Sequence, residues 1–216
     1  LYDDNPWNDV QYLFNKDVFI DNTLGVVKYT LHGQKMPDMD QYSSWAADHP
    51  VGKDYVLQNY SAPARCEDQK EFTEKEAEIV RHNVEENVLD MVKAHPETTF
   101  YFYTPPYSAL WWYKTKCSGN LKRYFQAEQL QAELLLQYDN VKLFSFTDLF
   151  DLTCDLDNYK DDTHYSEQIS ADIMNWIHDG TCQMTEANYK SRIENMTDYY
   201  LHYNYSKSGI PLAQEN

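Results

Sequence analysis

The alternation of helical and strand patterns is the feature that most limits the folds open to this chain. The stretch "FTEKEAEIVRHNVEENVLDMVKAHP" has helical spacing, begins with a capping box of Thr73 and Glu76, and ends at Pro96. A β-branched and aromatic run, "TTFYFYTPP", follows at once and predicts a buried strand. Next come a helix over "LKRYFQAEQLQAELLLQY", a strand over "VKLFSFTD" and a helix over "YSEQISADIMNWIHDG". This order predicts an α/β fold with a parallel sheet and covering helices.

Two strands are fewer than the roughly four to six of a doubly wound sheet, so we expect the sheet to be incomplete at the N-terminus. The run "DVFI" at residues 17–20 is a weaker strand candidate. Tyr42, Trp45, Tyr55 and Tyr60 favour burial, so the proline-interrupted stretch around them is predicted to be ordered. The chain divides into predicted N-terminal helices and a long aromatic surface excursion (1–72), an α/β core (73–180), and a last helix, begun by Thr185, with its tail (181–216).

The charge balance excludes some classes of partner. Eighteen basic residues stand against 35 acidic ones, which gives a formal net charge of −17. Such a surface repels phosphate backbones and anionic lipid, so we expect no nucleic-acid binding and no binding to a membrane surface. No apolar run approaches the roughly 20 residues that a membrane-spanning helix needs.

The chain has four cysteines, Cys66, Cys117, Cys154 and Cys182. None belongs to a C-x-x-C pair and no metal-ligand spacing is present, so neither a metal nor another cofactor is predicted. Two disulfides, in any of three pairings, and four buried thiols both remain open. Disulfides would fit an exported, oxidised protein.

The carboxyl ends of the two predicted strands are the expected place for a site, because ligands of open α/β sheets bind there. The first end is "TPPYS", and an aromatic turn follows it. Tyr107, Ser108, Trp111 and Trp112 are therefore predicted to contact substrate, since aromatic rings can stack on sugars. Packing in the core is the alternative for the tryptophans.

The second end leads into "NYKDDTHYS", where Asp161 lies three residues before His164 on a loop ahead of a helix. In a turn, this spacing lets the Asp161 carboxylate reach imidazole Nδ1, which leaves Nε2 to take a proton from a hydroxyl. Asp162 can serve instead on spacing alone. The alternative is a solvated turn whose acids favour the N-terminus of the next helix.

The D-x-x-H pattern of Asp161 and His164, on a loop between the strand "VKLFSFTD" and a helix, resembles the last sequence block of SGNH/GDSL-type hydrolases. The region "TFYFYTPPYS" is similar to the penultimate strand of bacterial membrane-anchored members related to cell-wall D-alanyl transfer and polysaccharide O-acetylation proteins. The resemblance covers roughly residues 73–179. It implies a flavodoxin-like, three-layer sheet and a serine that hydrolyses or transfers carbohydrate esters, with His164 as general base and Asp161 orienting it.

The chain contains neither the G-D-S block nor the G-x-N-D block of that family. We therefore expect the nucleophilic serine upstream of Leu1, in an extracytoplasmic protein anchored through a segment outside this chain. The resemblance implies a carbohydrate or acylated cell-envelope substrate and a membrane-bound acyltransferase partner. The alternative is a non-catalytic extracytoplasmic binding module of the same fold.

Overall fold

A computed structural model of the chain describes residues 14–34, 50–58 and 60–214. The chain forms two compact units, Leu1–Asp48 and His49–Asn216. In the first unit, a π-helix at Lys16–Leu24 runs into helix α1, Gly25–Leu31. The strand candidate at residues 17–20 is wrong, because these residues are helical. Residues 1–13, part of the region of predicted N-terminal helices, lie outside the described residues, as do Tyr42 and Trp45.

In the second unit, the helices and strands predicted from residue 73 onward occur in the predicted order, with further short elements before and between them. Its helices are α2 (Lys53–Gln58), α3 (Glu74–Val84), α4 (Asp90–Ala94), α5 (Ala109–Cys117), α6 (Leu121–Leu135), α7 (Phe150–Thr153), α8 (Glu167–Asp179) and α9 (Tyr189–His202). Its strands are β1 (Phe100–Thr104), β2 (Val141–Ser145) and β3 (Gln183–Met184). Helix α9 begins later than predicted, because Asn188 accepts from the backbone N–H of Thr185 and closes a turn ahead of the helix.

The sheet of the described residues has three strands in the order β1–β2–β3. Strands β1 and β2 pair in parallel, from Phe100 opposite Val141 to Thr104 opposite Ser145. Strand β3 is antiparallel to β2, so the sheet is mixed and the prediction of a purely parallel sheet is wrong. A two-residue strand is too short for a periodic signal, so β3 is not among the predicted strands.

Helix α3 begins with the predicted capping box, in which Thr73 and Glu76 satisfy each other's backbone N–H groups. A π-helical segment, Glu85–Leu89, then joins α3 to α4. A π-turn adds one residue to a helical turn, so it rotates every later side chain around the helix. Leu89 and Val92 are buried, whereas Met91 is 48% exposed. Regular helical spacing from Val80, Val84 and Val88 predicts Met91 on the same apolar face, and the π-helical segment makes this prediction wrong.

Helices cover both faces of β2. Leu143 belongs to the large core shared with α5, α6 and α9, and Phe144 packs with Ile169 and Ile173 of α8. Alternate residues of a strand point to opposite faces, which explains this division. In β1, Tyr101 and Tyr103 remain 51% and 45% exposed, so the prediction that this strand is fully buried is wrong.

A buried carboxyl group links α6 to the carboxyl ends of both long strands. Glu128 Oε1 accepts hydrogen bonds from Thr104 Oγ1, at 3.0 Å, and from Ser145 Oγ, at 3.5 Å. Glu128 Oε2 is buried and has no hydrogen-bond partner in the described part of the chain. Burial raises the pKa of Glu128 to about 7, although the two hydroxyl donors oppose this effect.

We expect the Glu128→Gln variant to lose part of the pH dependence of folding. The pKa of Glu128 is higher in the folded chain than in the unfolded one, so its stabilising effect is complete below about pH 4.5 and is lost as pH rises through about 7. The free energy of unfolding should therefore fall by about 3 kcal/mol over this window in the wild type, and less in the variant. Urea titrations across that range, with the exposed Glu133→Gln as control, measure the difference. Parallel profiles for wild type and Glu128→Gln would contradict the assignment.

A disulfide, Cys66–Cys117, joins the segment before α3 to the end of α5. Backbone hydrogen bonds hold the same two segments together, from Glu67 to Cys117 and from Lys70 to Gly119. Cys154 and Cys182 are free thiols. The structure therefore has one disulfide and two thiols, and differs from both alternatives of the sequence analysis, two disulfides and four thiols.

Thiol titration of the unfolded, unreduced protein should find two reactive groups among these four cysteines. A Cys66→Ser variant should titrate three, because Cys117 loses its partner. Four thiols in the wild type, or none, would contradict the pairing.

Candidate active site

The loop that contains Asp161 and His164 is closed at its base by backbone hydrogen bonds. Tyr159 and Tyr165 form an isolated antiparallel bridge. The N–H of Lys160 donates to the carbonyl of His164 at 2.8 Å, and the N–H of Ser166 donates to the carbonyl of Asn158 at 2.9 Å. The segment is therefore an ordered loop with a narrow neck.

Asp161 organises the inside of this loop. Its Oδ1 accepts from the backbone N–H groups of Thr163, at 2.8 Å, and His164, at 2.7 Å. Its Oδ2 lies 2.6 Å from His164 Nδ1. The side chains of His164 and Asp161 are 56% and 47% exposed, so the pair lies at the surface. An imidazole that donates from Nδ1 to a carboxylate carries its basic lone pair on Nε2.

Two opposing effects act on the Asp161 carboxyl. Partial burial alone would raise its pKa, but the hydrogen bonds from the backbone and ring of His164 and from the backbone of Thr163 hold the pKa below its usual range. Asp161 is therefore ionised at neutral pH and can stabilise a positively charged imidazole.

The loop lies against the connection that follows β1. The buried Tyr159 donates its hydroxyl hydrogen to the carbonyl of Pro106 at 2.6 Å. Ser108 Oγ donates to the carbonyl of Asp162 at 2.8 Å, and the Asp162 carboxylate pairs with Lys114 at 2.6 Å. Asp162, the second acid that spacing allows, thus contacts α5. The two loops that follow β1 and β2 meet at one edge of the sheet.

Two of the four side chains predicted to contact substrate are not accessible from solvent. Ser108 and Trp112 are fully buried. Ser108 is the N-cap of α5, and its Oγ accepts from the N–H of Trp111. Trp112 stacks on both Phe125 and Tyr200, whose ring centroids lie 4.8 and 4.6 Å from its own. Ser108 is therefore engaged in capping and loop contacts, and Trp112 in aromatic packing.

Tyr107 and Trp111 are half-buried and contact each other, with ring centroids 4.8 Å apart. Trp111 also lines a groove of about 460 Å³ between α3, α5 and α6, together with Phe72 and Tyr124. Glu76 and Arg123, which form an ion pair at 3.1 Å, supply charged groups in this groove. Tyr107 and Trp111 therefore remain candidates for substrate contact.

No protein-family model, curated protein or solved structure matches this chain. No helix within residues 14–34, 50–58 and 60–214 is long and apolar enough to cross a membrane. Over the same ranges, no three side chains of His, Cys, Asp or Glu converge as a metal site would require. The chemistry of the site must therefore be argued from its geometry.

Three residues that support the loop were not identified from the sequence. Thr163 reinforces Asp161, with its hydroxyl 3.2 Å from Oδ1, and Tyr159 and Lys114 anchor the loop from outside. Thr163 lies inside the D-x-x-H pattern, so its position in the sequence could have indicated its role in the loop. Lys114 is 48 residues away from its partner, and no local pattern connects the two.

We expect Asp161→Asn to change the tautomer of His164. The asparagine Oδ1 can still accept from the two backbone N–H groups, but its amide would then donate to Nδ1 and favour the tautomer with hydrogen on Nε2. Nitrogen-15 NMR of the neutral imidazole distinguishes these states. Asp179→Asn, beside His178 in a separate pair at 2.9 Å, is the control and should leave the His164 signals unchanged. An unchanged tautomer in Asp161→Asn would contradict the role of Asp161.

Proposed function

We propose that this chain is the acid–base part of a serine esterase or O-acyltransferase of the SGNH type. The observation that carries the proposal is the 2.6 Å contact of Asp161 Oδ2 with His164 Nδ1, on an ordered loop beyond the carboxyl ends of β1 and β2. A general base needs a fixed tautomer and access to its reactant, and a half-exposed, carboxylate-held imidazole meets both requirements.

In the proposed reaction, His164 Nε2 takes the proton of a serine hydroxyl as the serine oxygen attacks the ester carbonyl carbon. The Asp161 carboxylate stabilises the imidazolium that forms. The imidazolium then gives its proton to the departing alcohol oxygen as the ester bond breaks, which leaves an acyl-serine. The same nitrogen then takes a proton from water or an acceptor hydroxyl as that oxygen attacks the acyl carbon. It returns the proton to the serine oxygen as the acyl–serine bond breaks, which releases the acid or the acylated acceptor.

The nucleophilic serine is expected in polypeptide outside these 216 residues. Ser108, the serine that follows β1, is buried and its Oγ hydrogen is directed to the carbonyl of Asp162, so it does not supply the nucleophile. A flavodoxin-like SGNH sheet with further strands is part of the proposal. The parallel pairing of β1 with β2 and the helices on both faces of β2 support it.

The proposed substrate is a carbohydrate or other cell-envelope ester, and the proposed partner is a membrane-bound acyltransferase. The Cys66–Cys117 disulfide supports an extracytoplasmic location, since disulfides persist in oxidising compartments. Anchoring to the membrane would involve a segment outside this chain. The net charge of −17 argues against nucleic acid as a partner.

The decisive experiment replaces His164 by Ala in the full-length protein and follows hydrolysis of p-nitrophenyl acetate and of acetylated polysaccharide. Loss of the general base should reduce kcat/KM by about a thousandfold or more, with little effect on the thermal midpoint, because the imidazole is exposed.

The matched control is His178→Ala. His178 also contacts a neighbouring aspartate, but it lies on the exposed end of α8. This variant should keep full activity. Wild-type turnover in His164→Ala would refute the proposed role of the pair.

The groove lined by Trp111 favours a second candidate, the non-catalytic binding module. A groove of about 460 Å³ with aromatic walls and a few polar groups has the size and composition of many ligand sites. Oligosaccharide binding that His164→Ala leaves intact, in a protein without ester turnover, would favour this candidate.

A further inference from the structure

The loop that contains the Asp161–His164 pair is fastened to helix α5 through one residue, Asp162. We propose that Ser108 and Lys114 are positioning residues. Through their contacts with Asp162, they hold the Asp161–His164 pair in its reactive geometry. The catalytic meaning of this role rests on the proposed function. The mechanical role rests on contacts alone and can be tested separately.

Ser108 is the stronger of the two anchors. Its Oγ donates to the Asp162 carbonyl at 2.8 Å, and its backbone N–H donates to the same oxygen at 3.2 Å. The same Oγ accepts from the N–H of Trp111 and so caps α5. A hydroxyl can donate once and accept as well, so one buried side chain begins the helix and holds the loop.

Lys114 binds the side-chain carboxylate of Asp162. Its Nζ lies 2.6 Å from Asp162 Oδ2. Ser108 holds the carbonyl and Lys114 holds the carboxylate, so together they limit both translation and rotation of Asp162. The ion pair is partly exposed and is therefore the weaker anchor, because water screens it.

The position of Asp162 determines the geometry of its neighbours. Asp162 lies inside the turn that Asp161 closes onto the N–H groups of Thr163 and His164. If the Asp162 carbonyl moves, this turn must open, and Asp161 then loses the backbone donors that orient it toward His164 Nδ1. The bond from Tyr159 to Pro106 ties the base of the loop to the same connection. The α5 N-terminus and the loop are thus held as one body.

Amide hydrogen exchange of the full-length protein, read by mass spectrometry over peptides that contain Thr163 and His164, tests the proposal. Losing the Ser108 hydroxyl in Ser108→Ala should speed exchange at these amides by about fivefold to tenfold. Lys114→Met should produce a smaller increase, of about twofold. Ser108→Thr and Lys114→Arg keep the hydroxyl and the charge, and should restore rates close to the wild type.

Thr73→Ala is the control for the loss of a helix cap, because Thr73 caps α3 with its hydroxyl as Ser108 caps α5. Its effect should be confined to the first turn of α3. Equal acceleration at Thr163 and His164 in Thr73→Ala and Ser108→Ala would overturn the proposal. So would unchanged exchange in both Ser108→Ala and Lys114→Met. If Ser108→Ala does not fold, Lys114→Met against Lys114→Arg decides, because Lys114 is partly exposed.

Ester turnover separates this proposal from the proposed function. A positioning role predicts that kcat falls in Ser108→Ala while KM changes little, since the base is misplaced but the substrate contacts remain. Faster exchange together with full turnover in His164→Ala would support the anchoring and refute the esterase. Unchanged exchange in Ser108→Ala and Lys114→Met, together with an inactive His164→Ala variant, would refute the anchoring and support the esterase.

Discussion

Five residues of β1 pair in parallel with five residues of β2, and this pairing determines where the following loops lie. Because the two strands run in the same direction, the chain leaves both of them at the same edge of the sheet. The connection after β1 supplies Pro106 and Ser108, and the longer connection after β2 supplies the loop with Asp161 and His164. An antiparallel pair would have put these two connections at opposite ends. The candidate site therefore exists as a consequence of strand direction.

Polar groups inside the protein reinforce this edge. Glu128 of α6 contacts the last residues of both β1 and β2. Arg192 of α9 forms two hydrogen bonds to Asp148, just beyond β2, and also donates to the carbonyl of Ser145. Polar groups that are buried or partly buried are costly unless they are hydrogen-bonded, so these contacts restrict how the helices and strands can pack. The hydrophobic core holds the layers together, and these contacts fix the carboxyl ends of the strands.

The Asp161–His164 pair differs from other close His–Asp contacts in the chain by its surroundings. His178 lies next to Asp179 on an exposed helix end, where the contact joins neighbouring residues only. Asp161, by contrast, accepts hydrogen bonds from two backbone N–H groups in addition to its contact with the imidazole. The loop around it is also hydrogen-bonded to Ser108 at the start of α5. A carboxylate held in this way presents the imidazole in one orientation. This constraint is what a general base requires, and it supports the proposed esterase or acyltransferase chemistry.

The sequence by itself determined the order of the longer helices and of the two parallel strands, the capping box of Thr73 and Glu76, and the spacing that lets Asp161 reach His164. These features depend on residues a few positions apart, so local patterns contain them. Only the tertiary structure decided that Met91 faces solvent after a π-turn, that Trp112 and Ser108 are buried, that Cys66 pairs with Cys117, and that Lys114 holds Asp162. The partners in these contacts are far apart in the chain or depend on a shift in helical phase, and neither leaves a periodic signal. The spacing could suggest a histidine and its carboxylate, but the packing of α5 against the loop was needed to hold them in place.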